Sequence, residues 1–224
     1  MSIDTVVLDL DGTLVDSVYV HVSAWHTAFS EVGVEVPTFR IHRAIGMGGD
    51  RLVTQVAGAA VEQALGDTVR ELHARHFDER FGQVTALDGA GELLEGLRDR
   101  GLRVVLASSG EQSMTDRLLE LVEHTDALQE RISGSNAEHS KPAPDLVEVA
   151  LESVGGRRAL VVGDAVWDVE SARKAELPCV ALLTGGFSAD ELRAAGAVDV
   201  LETPRDLVNR LDEVLAAGAA AHGG

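Results

Sequence analysis

Two aspartates one residue apart, Asp9 and Asp11 in "VVLDLDGT", close an apolar, β-branched run near the N-terminus. An extended segment sends residues i and i+2 to the same side, and Gly12 lets the chain turn sharply behind them. Like charges held this close repel unless a cation or a proton intervenes. A second pair follows another apolar run: "VVGDAVWD" sets Asp164 at a strand tip and Asp168 one helical turn later. Hard oxygen donors from separate strand tips, without nearby Cys or a His pair at zinc spacing, suit Mg2+, which typically takes one or two carboxylates, waters and phosphate oxygens. The plainer alternative is turn acids at strand ends, which Asp commonly supplies.

Two further stretches fit a phosphoryl group. In "VVLASSGEQS" a strand ends at Ser108, whose hydroxyl and the N–H groups that follow, at Ser109 and Gly110, make an anion cradle at a helix start. A Ser N-cap accounts for the same residues without any ligand. In "SNAEHSKPAPD" Lys141 precedes Pro142, which fixes the local backbone, so the ammonium is held toward a site. It supplies the positive charge that a nucleophilic carboxylate and a transferring phosphoryl group both require. His73 and His76, three residues apart on a charged helical stretch, are expected on its solvated face. Cys179, in "LPCVALL", is expected to act as a small buried hydrophobe.

The elements that must position these groups are legible as alternation. "TVVLDLDG", "LRVVLASSG", "RALVVGDA" and "PCVALLTGG" are strand-like runs separated by helical patterns, which predicts parallel crossovers and a doubly wound α/β sheet. Ligands bind such sheets at the carboxyl edge, near the point where strand order reverses. "GAGELLEGLRDRG" places Leu93, Leu94 and Leu97 on one face and ends at Gly101; "KPAPDLVEVALESVG" opens with prolines and closes at Gly155. Residues 16–83 break the rhythm with helical patterns and no strand, so they read as a helical insertion over the sheet edge, dividing a core of residues 1–15 and 84–224. Asp16 is expected to cap the first helix of that insertion, and the small-residue tail "LAAGAAAHGG" to fray.

Composition bounds the rest. A formal charge of −18 on 224 residues opposes nucleic acid and anionic membrane as partners. No apolar run approaches a membrane span, and the N-terminus has no basic n-region, so the cytoplasm is the expected location.

"DLDGT" at 9–13, "ASSG" at 107–110, "KPAPD" at 141–145 and "GDAVWD" at 163–168 resemble, in order and spacing, the four motifs of the haloacid dehalogenase-like (HAD) superfamily. The insertion resembles its all-helical C1-type cap on a Rossmann-like core. The resemblance implies Asp9 as the nucleophile that forms an aspartyl-phosphate and Asp11 as general acid and then base. It implies that Ser108 and Lys141 bind the transferring group. Mg2+ would be held by the Asp9 carboxylate, the Asp11 carbonyl and Asp164, with Asp168 orienting the metal's water shell or Lys141. Thr13, Ser109, Gly110, His21 and Gly46 are carried as substrate-side residues, although His21 also suits hinge packing and Trp25 the cap core.

The implied activity is Mg2+-dependent hydrolysis of a small phosphomonoester, of the phosphoglycolate or sugar phosphate type. A β-phosphoglucomutase-like phosphomutase is the alternative. Against it stand Thr13, where that mutase carries a smaller apolar residue, and Gly49, where it carries a phosphate-binding Arg that Arg43 or Arg51 would have to replace. A dehalogenase generally lacks the second Asp, and a non-catalytic binding protein has no need of four intact motifs.

Overall fold

The structure is a computed structural model, which describes residues 2–134 and 141–222. Its centre is one parallel sheet of six strands, β1 (Thr5–Leu8), β2 (Arg103–Ala107), β3 (Glu130–Ile132), β4 (Ala159–Gly163), β5 (Cys179–Leu182) and β6 (Asp199–Leu201), in the order β3-β2-β1-β4-β5-β6. β1 lies between β2 and β4, with Leu8 opposite Leu106 on one side and Val162 on the other. All three strands therefore end at the same height.

Both faces are covered, which explains why the strands read as continuous apolar runs. Val6 and Leu8 point into a layer with Leu93, Leu94 and Leu97 of α5 (Ala90–Asp99) and Leu211 and Val214 of α11 (Leu211–Ala221). Val7 points the other way, toward Leu146 and Val147 of α7 (Asp145–Ser153) and Val169 of α8 (Val166–Lys174). Cys179 is buried in this second layer, as expected. Gly101 and Gly155 take the positive φ that turns the chain after α5 and α7.

Between β1 and β2 come α1 (Val18–Glu31), α2 (Thr38–His42), α3 (Gly49–Ala57) and α4 (Ala59–Arg80). They enclose a third apolar cluster of their own, including Val22, Trp25, Phe29, Ile41, Leu52 and Val69. The end of α2 joins this cluster to the sheet edge: His42 Nε2 lies 2.9 Å from the Gly185 carbonyl, and Trp167 Nε1 donates to the Arg43 carbonyl at 3.1 Å.

Three expectations need correction. His73 and His76 are buried, because α4 turns that stripe toward α1 and leaves Glu71, Arg75 and Asp78 to solvent. Asp16 is exposed and does not cap α1; the cap position belongs to Ser17, whose hydroxyl donates to Asp11 instead of to the helix. Residues 215–221 continue α11, and His222 lies 2.6 Å from the Ala159 carbonyl, so the tail is tied to β4; Gly223 and Gly224 lie outside the described residues. Residues 135–140 of the "SNAEHSKPAPD" stretch also lie outside them.

Candidate active site

The acids meet where the strand order reverses. β1 ends one residue before Asp9, β4 ends one residue before Asp164, and the two strands are hydrogen-bonded neighbours. Gly12 has φ +77°, and a Cβ built on it would lie 2.3 Å from Asp164 Oδ2. Gly185, after β5, closes the other side, where a Cβ would lie 2.0 Å from the same oxygen. Two missing side chains thus leave room for one carboxylate.

Carboxylate oxygens of Asp9, Asp164 and Asp168 lie within 4.8 Å of one another, and all three residues are buried. Lys141, 2% exposed, sits among them: its Nζ pairs with Asp9 and lies 2.7 Å from Asp168 Oδ1. The other Asp168 oxygen accepts the Ala165 N–H at 3.1 Å, which fixes the carboxylate at the start of α8. Thr13 Oγ1 donates to Asp164 at 3.2 Å. Thr13 is fully buried beneath the acids and does not line the cavity above them.

Burial pushes the Asp9 carboxyl up to about 7; Lys141 opposes that rise, while Asp168 and Asp11 add to it. Burial followed by the charges of Asp168 and Asp9 holds Asp164 well above the usual carboxylate range. Burial alone would lower the Lys141 ammonium, but Asp168 and Asp9 outweigh it and raise the group above its ordinary value. One ammonium among this many acids leaves an unbalanced negative charge. Oxygen-only donors, a glycine-lined cradle and that charge fit a hard divalent cation, with Asp9, Asp164 and Asp168 as the groups to hold it.

Asp11 lies on the outer side of Asp9 and behaves differently. Burial would raise its carboxyl, but His21 and Ser17 hold it below the ordinary range. His21 Nε2 lies 3.0 Å from Asp11 Oδ1, the oxygen that also accepts the Ser17 hydroxyl.

Asp9 and Asp11 form the floor of a cavity of about 140 Å³. His21 and Trp25 of α1, Gly46, Leu52 of α3, His73 of α4, and Ser109 and Gly110 of the loop after β2 line it. Ser108 is buried beside that loop and accepts the Gly110 N–H at 3.1 Å. It is not a helix cap, because the following helix, α6 (Gln112–Leu119), begins four residues later with Glu111 at its cap position. Ser109 Oγ donates to the Gly46 carbonyl at 3.1 Å, joining the two sides of the cavity. Trp25 belongs both to the cavity wall and to the helical cluster behind it.

Neither Arg43 nor Arg51 lines this cavity. Arg43 pairs with Glu191 and lies 4.8 Å over the Phe187 ring, while Arg51 faces a separate groove near Trp167. Arg70 of α4 does reach the cavity, but Glu62 holds its guanidinium through two bonds of 3.0 and 2.9 Å. Sequence reading missed Arg70 and His73. Their three-residue spacing along α4 was the available signal.

The strand order, acids at the reversal point and helices above them define a doubly wound α/β enzyme with a capped carboxylate site. The profile of the haloacid dehalogenase-like hydrolase family matches residues 3–176. The phosphoglycolate phosphatase of Cupriavidus necator (plasmid-encoded) is 30% identical over 203 residues, covering 88% of this chain and 87% of that protein. The phosphoglycolate phosphatase of Rhodospirillum rubrum is 26% identical over 88% of this chain and 86% of its own length. The crystal structure of a hydrolase from Pseudomonas syringae superimposes with a TM-score of 0.87 at 36% identity, covering 93% of this chain and 98% of that one. A β-phosphoglucomutase from Clostridium difficile shares the fold at a TM-score of 0.84 and 16% identity, over 97% and 99% of the two chains. The chain belongs to the haloacid dehalogenase-like hydrolase family, in its C1-capped branch, and is a phosphatase of that family. Among the described residues no helix is long and apolar enough to cross a membrane.

Proposed function

We propose that this enzyme is a Mg2+-dependent phosphatase that hydrolyses a small phosphomonoester, of the phosphoglycolate or sugar phosphate type, through an aspartyl-phosphate on Asp9. The observation that carries this reading is the convergence of Asp9, Asp164 and Asp168 around the buried Lys141, with a small cavity opening onto Asp9 and Asp11. Residues 16–83 act as the cap and residues 1–15 and 84–224 as the core.

Asp9 attacks phosphorus while Asp11 gives a proton to the departing alcohol oxygen. Asp11 then takes a proton from the water that cleaves the aspartyl-phosphate, which frees inorganic phosphate and restores Asp9. Lys141 offsets charge on Asp9 and the phosphoryl oxygens, Asp168 orients Lys141, and the Ser108 hydroxyl, itself held by the Gly110 N–H, donates with the Ser109 N–H to the remaining oxygens. The Asp9 and Asp164 carboxylates and the Asp11 carbonyl, with Asp168 beside them, would hold Mg2+, which would neutralise the charge that spreads over the transferring group.

A phosphomutase needs a second phosphate site. Among the described residues, the guanidinium that lines the cavity, Arg70, is already engaged by Glu62, which disfavours that reading. Assaying a panel of phosphorylated metabolites for inorganic phosphate, with Mg2+ and with EDTA, tests the proposal. Phosphate release that requires Mg2+ supports it. Label retained on an isomerised sugar would establish the mutase, and halide release in EDTA a dehalogenase.

The raised carboxyls give a further expectation. An acid whose pKa is higher in the fold than in the unfolded chain binds its proton more tightly when folded, so the cation-free protein loses stability as pH rises from about 4 toward about 7. Mg2+ favours the ionised forms, so its binding releases protons in that window and its apparent affinity climbs as pH rises through about 7. Calorimetric titrations in two buffers of different ionisation enthalpy read this directly. An affinity that stays flat between about pH 5.5 and about pH 8 would rule out these carboxyls as the ligands.

A further inference from the structure

Glu62, Gly66 and Arg70 follow one another at four-residue spacing along α4, so they share one stripe of the helix. Side chains eight residues apart meet only by lying along the helix toward each other, over the residue between them. Here that residue is Gly66, where a Cβ would lie 2.6 Å from Glu62 Oε1 and 2.9 Å from Arg70 Nη2. Glycine is disfavoured inside a helix, and at this position its bare backbone makes the room in which guanidinium and carboxylate form their two bonds. Gly49 does the same beside the arginine stem, where a Cβ would lie 3.3 Å from Arg70 Cδ. Asp67 takes a further bond from Arg70 Nη2 at 2.8 Å, and the Gly49 carbonyl one from Nη1 at 3.4 Å. Both Nη atoms are engaged, and two carboxylates stand against one cation.

Among the described residues, Arg70 is the one Arg or Lys that lines the cavity above Asp9 and Asp11. His21 faces Asp11 on the floor. Burial, then His21 and His76, hold His73 well below the ordinary histidine range, so it brings no positive charge to the wall. Glu111 adds an acid to the lining, and Trp25, Ile45, Met47, Leu52 and Met114 supply apolar surface.

We propose that the cavity selects phosphomonoesters whose alcohol part is small and uncharged, and that Glu62 is the specificity-determining residue: by holding Arg70 it denies a carboxylate or second phosphate on the substrate its counter-ion. The inference rests on the hydrolytic reading given above and narrows it, away from phosphoglycolate and toward neutral sugar and alcohol phosphates.

An anionic group reaches Arg70 only by displacing a carboxylate that already binds it through two bonds. The displaced Glu62 then stays nearby as an unpaired like charge, with Asp67 beside it. An uncharged group meets no such opposition, because it leaves the pair intact and rests against the apolar wall. A site discriminates as well by leaving an unwanted charge without a partner as by adding contacts to the wanted ligand. Size agrees: the void of about 140 Å³ is close to the roughly 150 Å³ that takes a benzene-sized guest in a protein interior.

Phosphoglycolate and its amide, phosphoglycolamide, have the same shape and differ by one charge, so the two esters read the selection directly. With Mg2+, the wild type should show kcat/KM for the amide at least about tenfold above that for phosphoglycolate. Glu62→Gln keeps the shape and removes the charge. It should raise kcat/KM for phosphoglycolate roughly tenfold, mostly through KM, and leave the amide within about twofold. Adding Arg70→Met removes the receptor and should cancel that gain. Glu152→Gln, which removes an exposed charge from α7, should leave the ratio unchanged and so separates the local pair from the net charge of the chain. Calorimetric affinities of both esters for Asp9→Asn protein with Mg2+ should rank in the same order without turnover.

A wild type that binds or hydrolyses phosphoglycolate no worse than the amide overturns the proposal. So does a ratio that Glu62→Gln does not move, a gain that survives Arg70→Met, or the same gain in Glu152→Gln. If Glu62→Gln does not fold, the wild-type ranking decides. A wild type that releases no phosphate from any ester refutes the hydrolytic reading, while the affinities in Asp9→Asn still decide which alcohol part the cavity takes, and failure to bind either ester overturns the inference as well.

Discussion

Asp9→Asn is expected to abolish phosphate release, by at least about 10⁴-fold in kcat, in a protein that folds as well as the parent. An amide of the same shape occupies the same place at the end of β1 but cannot attack phosphorus. Stability should not suffer. Burial first, with Asp168 and Asp11 adding to it, pushes the Asp9 carboxyl up to about 7, so a neutral side chain is easier to keep there. Lys141 keeps Asp168 at 2.7 Å as a partner. Thermal melts of cation-free protein should therefore place the variant at or above the wild type near neutral pH. Turnover within about a hundredfold of wild type by the folded variant would remove Asp9 from the role of nucleophile.

Lys141→Ala is expected to damage both activity and fold, and here the structure changes what the motif alone implies. Read from the motif, the lysine is a site residue whose loss should spare the fold. In the structure its ammonium is almost wholly buried between Asp9 and Asp168, and removing one member of a buried ion pair leaves uncompensated charge, at a cost of about 3–5 kcal/mol. The catalytic loss should be on the order of 10²–10³-fold, the range for removing one preorganised group that stabilises developing charge. The two effects separate in a cycle. Adding Asp9→Asn to Lys141→Ala should recover part of the stability and none of the activity, because the amide no longer needs a cation beside it. A Lys141→Ala protein that melts with the wild type, with or without Mg2+, would mean that the acids are screened by something other than this lysine.

The parts of the site that could be read directly are those whose chemistry is fixed within a few residues of a strand end. Asp9, Asp11, Asp164 and Asp168 are adjacent in sequence to apolar runs that must lie in the sheet, so type and place arrive together. The doubly wound order was legible for the same reason, as strands of β-branched residues alternated with leucine-patterned helices. Cap residues were harder. His73 and His76 sit among Glu71, Arg75 and Asp78, and a charged neighbourhood looks solvated until α4 is packed on α1. Ser17 and Asp16 are both good capping types, and only the position of Asp11 shows why Ser17 turns its hydroxyl away from the helix. Arg43 and Arg51 drew attention because they flank Gly49, where a phosphate-binding Arg would have had to be replaced, yet Arg43 turns to Glu191 and Arg51 to a separate groove while Arg70 comes in from another helix.

The placement of the site between β1 and β4 has a consequence for how the chain assembles. Asp9 and Lys141 are separated by 132 residues, and Thr13 and Asp164 by 151. These groups come together only when the first and fourth strands pair, after most of the loop-closure entropy has been spent. During synthesis and early collapse the Asp9–Asp11 pair is therefore far from Asp164 and Asp168, and all four are hydrated. The repulsion between the two pairs is a property of the finished fold, so the nascent chain gathers its helices and strands without opposing the crowding between them that the enzyme later uses.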